Sequence, residues 1–118
     1  MKVLLVDDEK EMVSALAERL SFRDIDAEWV TSGKDAIAQI GKKHFDVLVL
    51  DVKMPVMSGL ETMIEILKIK PESRIIFLTG HGSALDHLAC KEAGAFSYLM
   101  KPINIEILVE KIKEAVRS

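Results

Sequence analysis

Five short apolar runs, separated by segments of helical periodicity, restrict the fold of this chain more than any other feature of its sequence. Three of the runs are nearly continuous stretches of Val, Ile and Leu, as is typical of strands that are buried on both faces. The polar residues within IDAEWV (25–30) instead favour an edge strand. In chain order the runs are VLLV (3–6), AEWV (27–30), VLVL (47–50), RIIFL (74–78) and FSYLM (96–100).

Helical patterns fill the intervals between the runs. Two of these patterns place apolar residues at positions i, i+3, i+4 and i+7, so that each helix has one apolar face. Those residues are Val13, Leu16, Ala17 and Leu20, and later Ile105, Leu108, Val109, Ile112 and Val116. Capping signals mark helix starts at Ser32, Ser58 and Ser83, and Gly94 marks a helix end. The strand–helix order repeats five times, which predicts an α/β fold with a doubly wound parallel sheet.

Composition excludes several classes of protein. With 118 residues, of which 49% are apolar and 30% charged, the chain has the composition of a globular domain, and we expect residues 1–118 to form one complete domain. The net charge of −3 and the lack of a basic stripe argue against direct binding of nucleic acid. No apolar run approaches the roughly 20 residues of a membrane span. The apolar run in MKVLLVDDEK (1–10) is too short for a signal peptide and the chain has a single cysteine, so we expect a cytoplasmic protein without membrane contact.

Polar side chains follow the predicted strands at the points where these strands end. Asp7 and Asp8 follow the first strand, Asp51 the third, Thr79 the fourth and Lys101 the fifth. The carboxyl ends of parallel strands meet at one edge of the sheet, where doubly wound folds bind their ligands. Two carboxylates about 4 Å apart repel by roughly 4 kcal/mol at an effective dielectric near 20, so three of them call for cations. Lys101 supplies one positive charge, and Mg²⁺ suits the remaining oxygen ligands.

The predicted Mg²⁺ indicates a phosphoryl group as the ligand, because this ion commonly binds phosphate oxygens as well. The segment VDDEKEMV (6–13) contains no glycine, so it cannot form the loop that cradles a nucleotide. The remaining chemistry is an aspartyl phosphate, with Asp51 as the nucleophile and with Asp7 and Asp8 holding the metal. Thr79 and Lys101 would contact phosphoryl oxygens. Gly80 would leave room for the phosphoryl group to approach.

Four motifs in order, VDDEKEM, DVKMPVMSG, LTGHGS and YLMKPI, resemble those of the receiver domains of two-component response regulators. The resemblance covers the whole chain and implies a flavodoxin-like (βα)5 fold with strand order 2-1-3-4-5. It also implies that a sensor histidine kinase or a phosphotransfer protein phosphorylates Asp51. Asp8 would ligate Mg²⁺ directly and Asp7 largely through water, with Asp51 and the backbone carbonyl of Lys53 as further ligands. The Lys101–Pro102 peptide bond would be cis.

The same resemblance implies a switch and its partners. Thr79 would move toward the phosphoryl group and Tyr98 would turn inward. The surface formed by the fourth helix, fifth strand and fifth helix would then change its preference for an effector, or for a second copy in a homodimer. We expect the kinase to dock on the first helix, with contacts at Glu11, Met12 and Ala15. We also predict that Lys53, Gly80 and His81, beside the site, influence the rates of phosphorylation and dephosphorylation.

Two alternatives remain open at this stage. The first is an enzyme of the haloacid dehalogenase type, which also forms an aspartyl phosphate but carries a second acid two residues after the nucleophile. That position holds Lys53, which argues against an enzyme acting on an external substrate. The second alternative is an interaction module with a degenerate site. Asp7, Asp8, Asp51, Thr79 and Lys101 are all present, which argues against that.

Overall fold

A computed structural model of the chain describes residues 1–80 and 82–118, and within them five strands alternate with five helices. The strands are β1 (Lys2–Val6), β2 (Asp26–Val30), β3 (Val47–Leu50), β4 (Ile75–Thr79) and β5 (Ser97–Met100). The helices are α1 (Lys10–Ser21), α2 (Gly33–Lys42), α3 (Gly59–Ile69), α4 (Ala84–Glu92) and α5 (Ile105–Arg117). All five predicted strands are therefore confirmed, with bounds that shift by one residue at most.

The strands form one parallel sheet in the order β2-β1-β3-β4-β5, which confirms the predicted topology. The last residue of β1, Val6, lies opposite the last residues of β2 and β3, Val30 and Leu50. Three strands therefore end level with one another, and the residues that follow them begin at the same edge. We refer to this edge as the carboxyl edge and to the opposite one as the amino edge.

The core lies on both faces of the sheet because successive strand residues point to opposite sides. Val3 and Leu5 pack with the apolar faces of α1 and α5. Leu4 and Val6 pack with α2, α3 and α4 on the other face. Every residue of β3 and β4 is buried, as their continuous apolar sequences predict.

Side-chain caps set the starts of three helices where the sequence predicts them. The Ser32 hydroxyl accepts a hydrogen bond from the Asp35 amide at 3.1 Å. Ser58 and Ser83 each complete a reciprocal capping box. Gly94 follows α4 with φ +113°, a conformation that glycine adopts without the steric penalty of a β-carbon.

One prediction about the buried face of α5 is wrong. Val116 is 41% exposed, whereas Ala115 is fully buried. Helical periodicity does place Val116 near the inner face, but it borders a cavity of about 90 Å³ at the amino edge together with Phe45 and Ser73. The side chain therefore lies beside open space. The spacing of apolar residues could not predict this, because it does not show whether a neighbour fills the position opposite.

Within the described residues, no helix is both long enough and apolar enough to cross a membrane.

Candidate functional site

Backbone hydrogen bonds continue beyond the strand ends and hold the candidate site residues in register. The amide of Asp7 donates to the Val30 carbonyl at 3.2 Å, and the amide of Asp51 donates to the Val6 carbonyl at 2.9 Å. Lys101, which directly follows β5, donates its amide to the Thr79 carbonyl at 2.8 Å. Asp7, Asp51 and Lys101 thus each leave the backbone one residue past a strand, whereas Thr79, which was predicted to follow the fourth strand, is the last residue of β4.

The three predicted carboxylates form one cluster at the carboxyl edge. One oxygen atom from each of Asp7, Asp8 and Asp51 lies within 4.8 Å of the other two. Asp7 and Asp51 are only 5% and 3% exposed, whereas Asp8 is exposed. Burial of two like charges side by side is unfavourable unless positive charge balances them, and carboxylate oxygens are ligands that hard divalent cations prefer.

Lys101 supplies the positive charge that the described residues place inside this cluster. Its Nζ lies 2.7 Å from Asp7 Oδ2 and 3.9 Å from Asp51 Oδ2, and it also approaches Glu9 at 3.7 Å. Burial by itself would lower the pKa of Lys101, but the hydrogen bond to Asp7 and the nearby carboxylate charges outweigh burial and raise it. The lysine therefore stays charged, and three acids share it.

Asp51 remains short of compensating charge. Burial raises the pKa of Asp51, and the neighbouring charge of Asp7 raises it further. A hydrogen bond with Thr79 and the charge of Lys101 lower it, but they do not offset burial. The Oδ1 atom is buried and has no hydrogen-bond partner within the described residues. A carboxylate oxygen in this condition can bind a cation or attack an electrophile that brings its own cation.

Asp7 differs from Asp51 because protein donors occupy both of its oxygens. The Glu9 amide donates to Oδ1 at 2.9 Å, and Lys101 donates to Oδ2. The first of these bonds also satisfies an amide just before α1, a helix whose first residues have no side-chain cap of their own. Asp7 is thus tied into the protein, whereas Asp8 reaches solvent at the rim.

Gly59 lets α3 begin directly against the backbone of Asp51, a close approach that was not predicted from the sequence. A β-carbon at Gly59 would overlap the Asp51 carbonyl oxygen, and the Gly59 amide donates to the Val52 carbonyl at 2.8 Å. The loop between β3 and α3 is therefore closed directly behind Asp51. The capping box at Ser58 was visible in the sequence, but the close approach of two backbones was not.

The residues predicted to influence rates have different surroundings. The Lys53 side chain is exposed and lines a shallow groove with Met54 and Pro55. Gly80 is exposed, and a β-carbon there would make ordinary contacts with the Lys101 side chain at 3.9 Å. A need for glycine at this position would therefore come from an incoming group, since packing does not demand it. His81 lies outside the described residues.

The Tyr98 hydroxyl is buried in this structure. The ring stacks on His87 of α4, with centroids 4.6 Å apart and planes 7° apart, and it also contacts Phe77. The resemblance implies that the ring turns inward on phosphorylation, and this stays a prediction. Burial is the main cause that raises the pKa of Tyr98. The contacts of Tyr98 with His87 and of its hydroxyl with Gly82 were not predicted from the sequence.

The predicted docking residues on α1 border an apolar groove of about 470 Å³. Met12 and Ala15 line it together with Leu16, Pro102 and Ile103. Leu16 packs against the core as predicted, although it is only partly buried and also lines this groove. Glu11 is exposed and is not among the residues that line the groove. The Lys101–Pro102 peptide bond beside the groove is cis, which confirms that prediction.

Comparison with known proteins connects this geometry to a family. Residues 3–113 match the family model described as the response regulator receiver domain. The transcriptional regulatory protein CpxR of Klebsiella pneumoniae is 38% identical over 116 residues, which cover 98% of this chain and 49% of that protein. The chain spans between 25% and 51% of the length of the curated relatives it matches.

Solved structures agree with the match. A response regulator receiver domain protein from Clostridium thermocellum superposes with a TM-score of 0.93 at 30% identity, covering 98% of this chain and 94% of that one. A response regulator from Burkholderia pseudomallei, solved with a phosphorylated aspartic acid, a calcium ion and citrate, gives a TM-score of 0.89 at 25% identity. That match covers 98% of this chain and 68% of the other. From its order of strands, its acidic cluster and these matches, we conclude that the chain belongs to the response regulator receiver domain family.

Proposed function

We propose that residues 1–118 form one receiver domain that is phosphorylated on Asp51 in a Mg²⁺-dependent reaction. The donor would be a sensor histidine kinase or a phosphotransfer protein in the cytoplasm. The observation that carries this proposal is the state of Asp51. Its carboxylate is 3% exposed, one oxygen lacks a hydrogen-bond partner within the described residues, and its pKa is raised mainly by burial. The phosphorylated aspartic acid in the Burkholderia pseudomallei relative supports the same chemistry.

The donor set fits Mg²⁺. Asp8, Asp51 and the Lys53 backbone carbonyl would hold the ion, since hard cations prefer oxygen ligands and Mg²⁺ retains several waters. Asp7 would act through water, because Glu9 and Lys101 already donate to its two oxygens. When bound, the ion would supply the positive charge that Asp51 lacks and would neutralise phosphoryl oxygens. The buried Asp51 Oδ1 atom without a protein donor is the observation that fits such a ligand.

Side chains of this chain would perform the phosphoryl transfer. An Asp51 carboxylate oxygen attacks the phosphorus of a phosphohistidine and forms a P–O bond while the P–N bond breaks. The electron pair stays on the departing imidazole nitrogen. Lys101, 3.9 Å from Asp51, would pair with one phosphoryl oxygen, and Thr79 would donate its hydroxyl to another. Slow hydrolysis by water would return the carboxylate, with Lys53, Gly80 and His81 influencing its rate.

The proposed domain is a signalling module with no external metabolite as substrate. Phosphorylation would move Thr79 toward the phosphoryl group and shift the population of two states of the α4–β5–α5 surface. That surface has exposed apolar side chains that suit contact with an effector or a second copy. They are Leu85, Leu88, Met100 and Ile107.

The kinase would dock in the apolar groove beside Lys101, with Met12 and Ala15 inside the groove and Glu11 on its exposed flank. Ala15→Glu should slow transfer from a phosphorylated histidine kinase, because a charge would enter an apolar contact. The reaction with acetyl phosphate, which is too small to need the groove, should keep its rate. Equal rates from the kinase to wild type and variant would remove the groove from the proposal.

Intact mass after incubation with Mg²⁺ and acetyl phosphate tests the central claim. Wild type should gain one phosphoryl group, and the gain should disappear with a Mg²⁺ chelator and in Asp51→Asn. Asp46→Asn, which alters an aspartate at the amino edge, is the matched control and should react like wild type. If Asp51→Asn still gained the mass of one phosphoryl group, a residue other than Asp51 would be the phosphoacceptor.

The same samples distinguish the two alternatives. Failure to react together with failure to bind Mg²⁺ would indicate an interaction module with an inactive site. Steady turnover of a generic phosphate ester, with no lasting mass gain, would instead indicate an enzyme that uses the aspartyl phosphate as an intermediate.

A further inference from the structure

The cavity of about 90 Å³ at the amino edge has an apolar floor and a charged rim. Ile40, Phe45 and Leu48 form the floor, and each is at most 6% exposed. Val116 of α5 adds an apolar wall that is open to solvent. Charged residues from two turns of the chain complete the lining. A concave site with apolar walls and a few polar groups has the chemistry of a small-molecule site.

The charged residues between α2 and β3 already have partners in the protein. The Lys43 ammonium donates to both oxygens of the Glu28 carboxylate, at 3.0 and 3.2 Å. One Asp46 oxygen accepts the Lys2 amide at 2.7 Å, and the other lies 3.2 Å from a ring nitrogen of His44. The charges of Lys43 and Asp46 are therefore compensated without a ligand.

The turn between α3 and β4, on the other side of the cavity, carries charges that the protein does not compensate. Lys70, Glu72 and Ser73 line the cavity from this turn, which the Ser73 amide closes onto the Lys70 carbonyl at 3.0 Å. Within the described residues, neither the Lys70 ammonium nor the Glu72 carboxylate forms an ion pair. One positive and one negative charge on a single short turn thus border the apolar floor.

We propose that this amino-edge cavity binds a small zwitterion with a short alkyl group, which is the chemistry of an apolar α-amino acid such as leucine. The carboxylate of the ligand pairs with Lys70, its ammonium pairs with Glu72, and its alkyl group covers the apolar floor. The cavity is smaller than the roughly 150 Å³ that holds a benzene ring, so a branched alkyl group fits and an aromatic one does not. The inference does not rest on the function proposed above, because this cavity lies at the edge of the sheet opposite to Asp51.

An amide NMR titration of the whole chain with L-leucine tests this proposal. The amide signals of Phe45, Ser73 and Val116 should shift and saturate, with a dissociation constant on the order of millimolar, as expected for a ligand with few atoms. Three related probes each lack one part of the ligand. Glycine lacks the alkyl group, isocaproate the ammonium and isoamylamine the carboxylate, and each should bind about tenfold more weakly or worse.

Substitutions on the turn assign the two charges. Lys70→Gln should weaken the binding of leucine and of isocaproate several-fold but leave that of isoamylamine unchanged, and Glu72→Gln should have the reverse selectivity. Val116→Phe, which fills the cavity from an exposed position, should abolish binding of all the probes. Lys68→Gln is the matched control, because it alters an exposed lysine near the end of α3 that pairs with Glu65 and does not line the cavity. It should bind leucine like wild type.

Trp29 fluorescence verifies that each variant is folded. The absence of saturable shifts in wild type would overturn the proposal, as would equal affinity for leucine and glycine, or for leucine in wild type and folded Lys70→Gln. Phosphoryl uptake measured by mass is an independent readout. A chain that takes up phosphate but does not bind leucine retains the proposed function and loses this inference, whereas a chain that binds leucine without taking up phosphate does the opposite.

Discussion

Both edges of the sheet carry clusters of charged side chains, but the two clusters balance their charges differently. Near the amino edge, the carboxylate of Glu28, the middle residue of β2, lies 3.0 Å from the Lys43 ammonium and 3.6 Å from that of Lys2. Asp46, just before β3, accepts the Lys2 amide at 2.7 Å. The hydrogen bond from Lys43 is the main cause that lowers the pKa of Glu28, and the Lys2 amide is the main cause for Asp46. These acids have nearby donors and solvent.

At the carboxyl edge, Asp7, Glu9 and Asp51 share Lys101, and the pKa of Asp51 is raised because burial outweighs its favourable contacts. The same kinds of side chain thus stabilise one edge and leave the other with excess negative charge. The difference shows that burial, more than the kinds of side chain present, decides whether the charges of such a cluster are balanced.

Removing the lysine at each edge should give the largest contrast. Lys101→Met should lower the free energy of unfolding by about 3 kcal/mol at pH 7, because it leaves buried carboxylates without their cation. Lys43→Met should lower it by less than about 1 kcal/mol, since exposed ion pairs contribute little. Urea unfolding followed by Trp29 fluorescence measures both values. Equal losses of stability in the two variants would mean that solvent screens the charges at the carboxyl edge as effectively as those at the amino edge.

Neutralising one aspartate at each edge should give effects of opposite sign. The folded-state pKa of Asp51 is raised above its ordinary value of 3.8, so its contribution to stability is present below that value and is lost as the pH rises through the folded pKa. Asp51→Asn should therefore exceed wild type in stability at pH 7 by about 1 to 2 kcal/mol. This advantage should shrink as the medium is acidified.

The contribution of Asp46 to stability depends on pH with the opposite sign. Its folded-state pKa is lowered, so its contribution is present above the ordinary value and is lost as the pH falls through the folded pKa. Asp46→Asn should be less stable than wild type at pH 7, by under about 1 kcal/mol. Thermal unfolding of the three proteins from pH 7 down to a pH below 3.8, the ordinary pKa of aspartate, without Mg²⁺, tests both signs. A destabilised Asp51→Asn would show that its negative charge is already compensated.

Two residues with positive φ, one near each edge, provide the smallest contrast. Val56 has φ 68° in a tight turn that the Met57 amide closes onto the Pro55 carbonyl at 2.7 Å, and Asp24 has φ 62°. A β-branched side chain is disfavoured in this conformation, whereas aspartate tolerates it better. Val56→Gly should stabilise the chain by about 1 kcal/mol, and Asp24→Gly by a few tenths of that at most. Matching gains in denaturant midpoint would contradict this explanation.

Local sequence was enough to predict the regular elements. Apolar runs predicted the strands, because a strand that is buried on both faces has apolar residues on both. The serines at 32, 58 and 83 predicted three helix starts, since a side-chain cap needs only residues a few positions apart. Asp7, Asp51 and Lys101 could be placed together because a parallel sheet aligns the ends of its strands.

Residues whose surroundings depend on distant segments could not be predicted in the same way. Leu16 and Val116 have the spacing of core residues, but one lines a groove and the other borders a cavity. The sequence around Tyr98 does not indicate that its hydroxyl is buried beside Gly82 or that its ring stacks on His87. These contacts join β5 to the start of α4, and periodicity along one element contains no information about the other.

The sequence by itself determined the order of strands and helices along the chain and the acids at the strand ends. The tertiary structure decided how the charges are shared. It gave both Asp7 oxygens protein donors, placed Lys101 nearer to Asp7 than to Asp51, and left Asp51 Oδ1 without a donor within the described residues. The physical reason is that a charge depends on its distances and its burial, and both are set only when five strands converge.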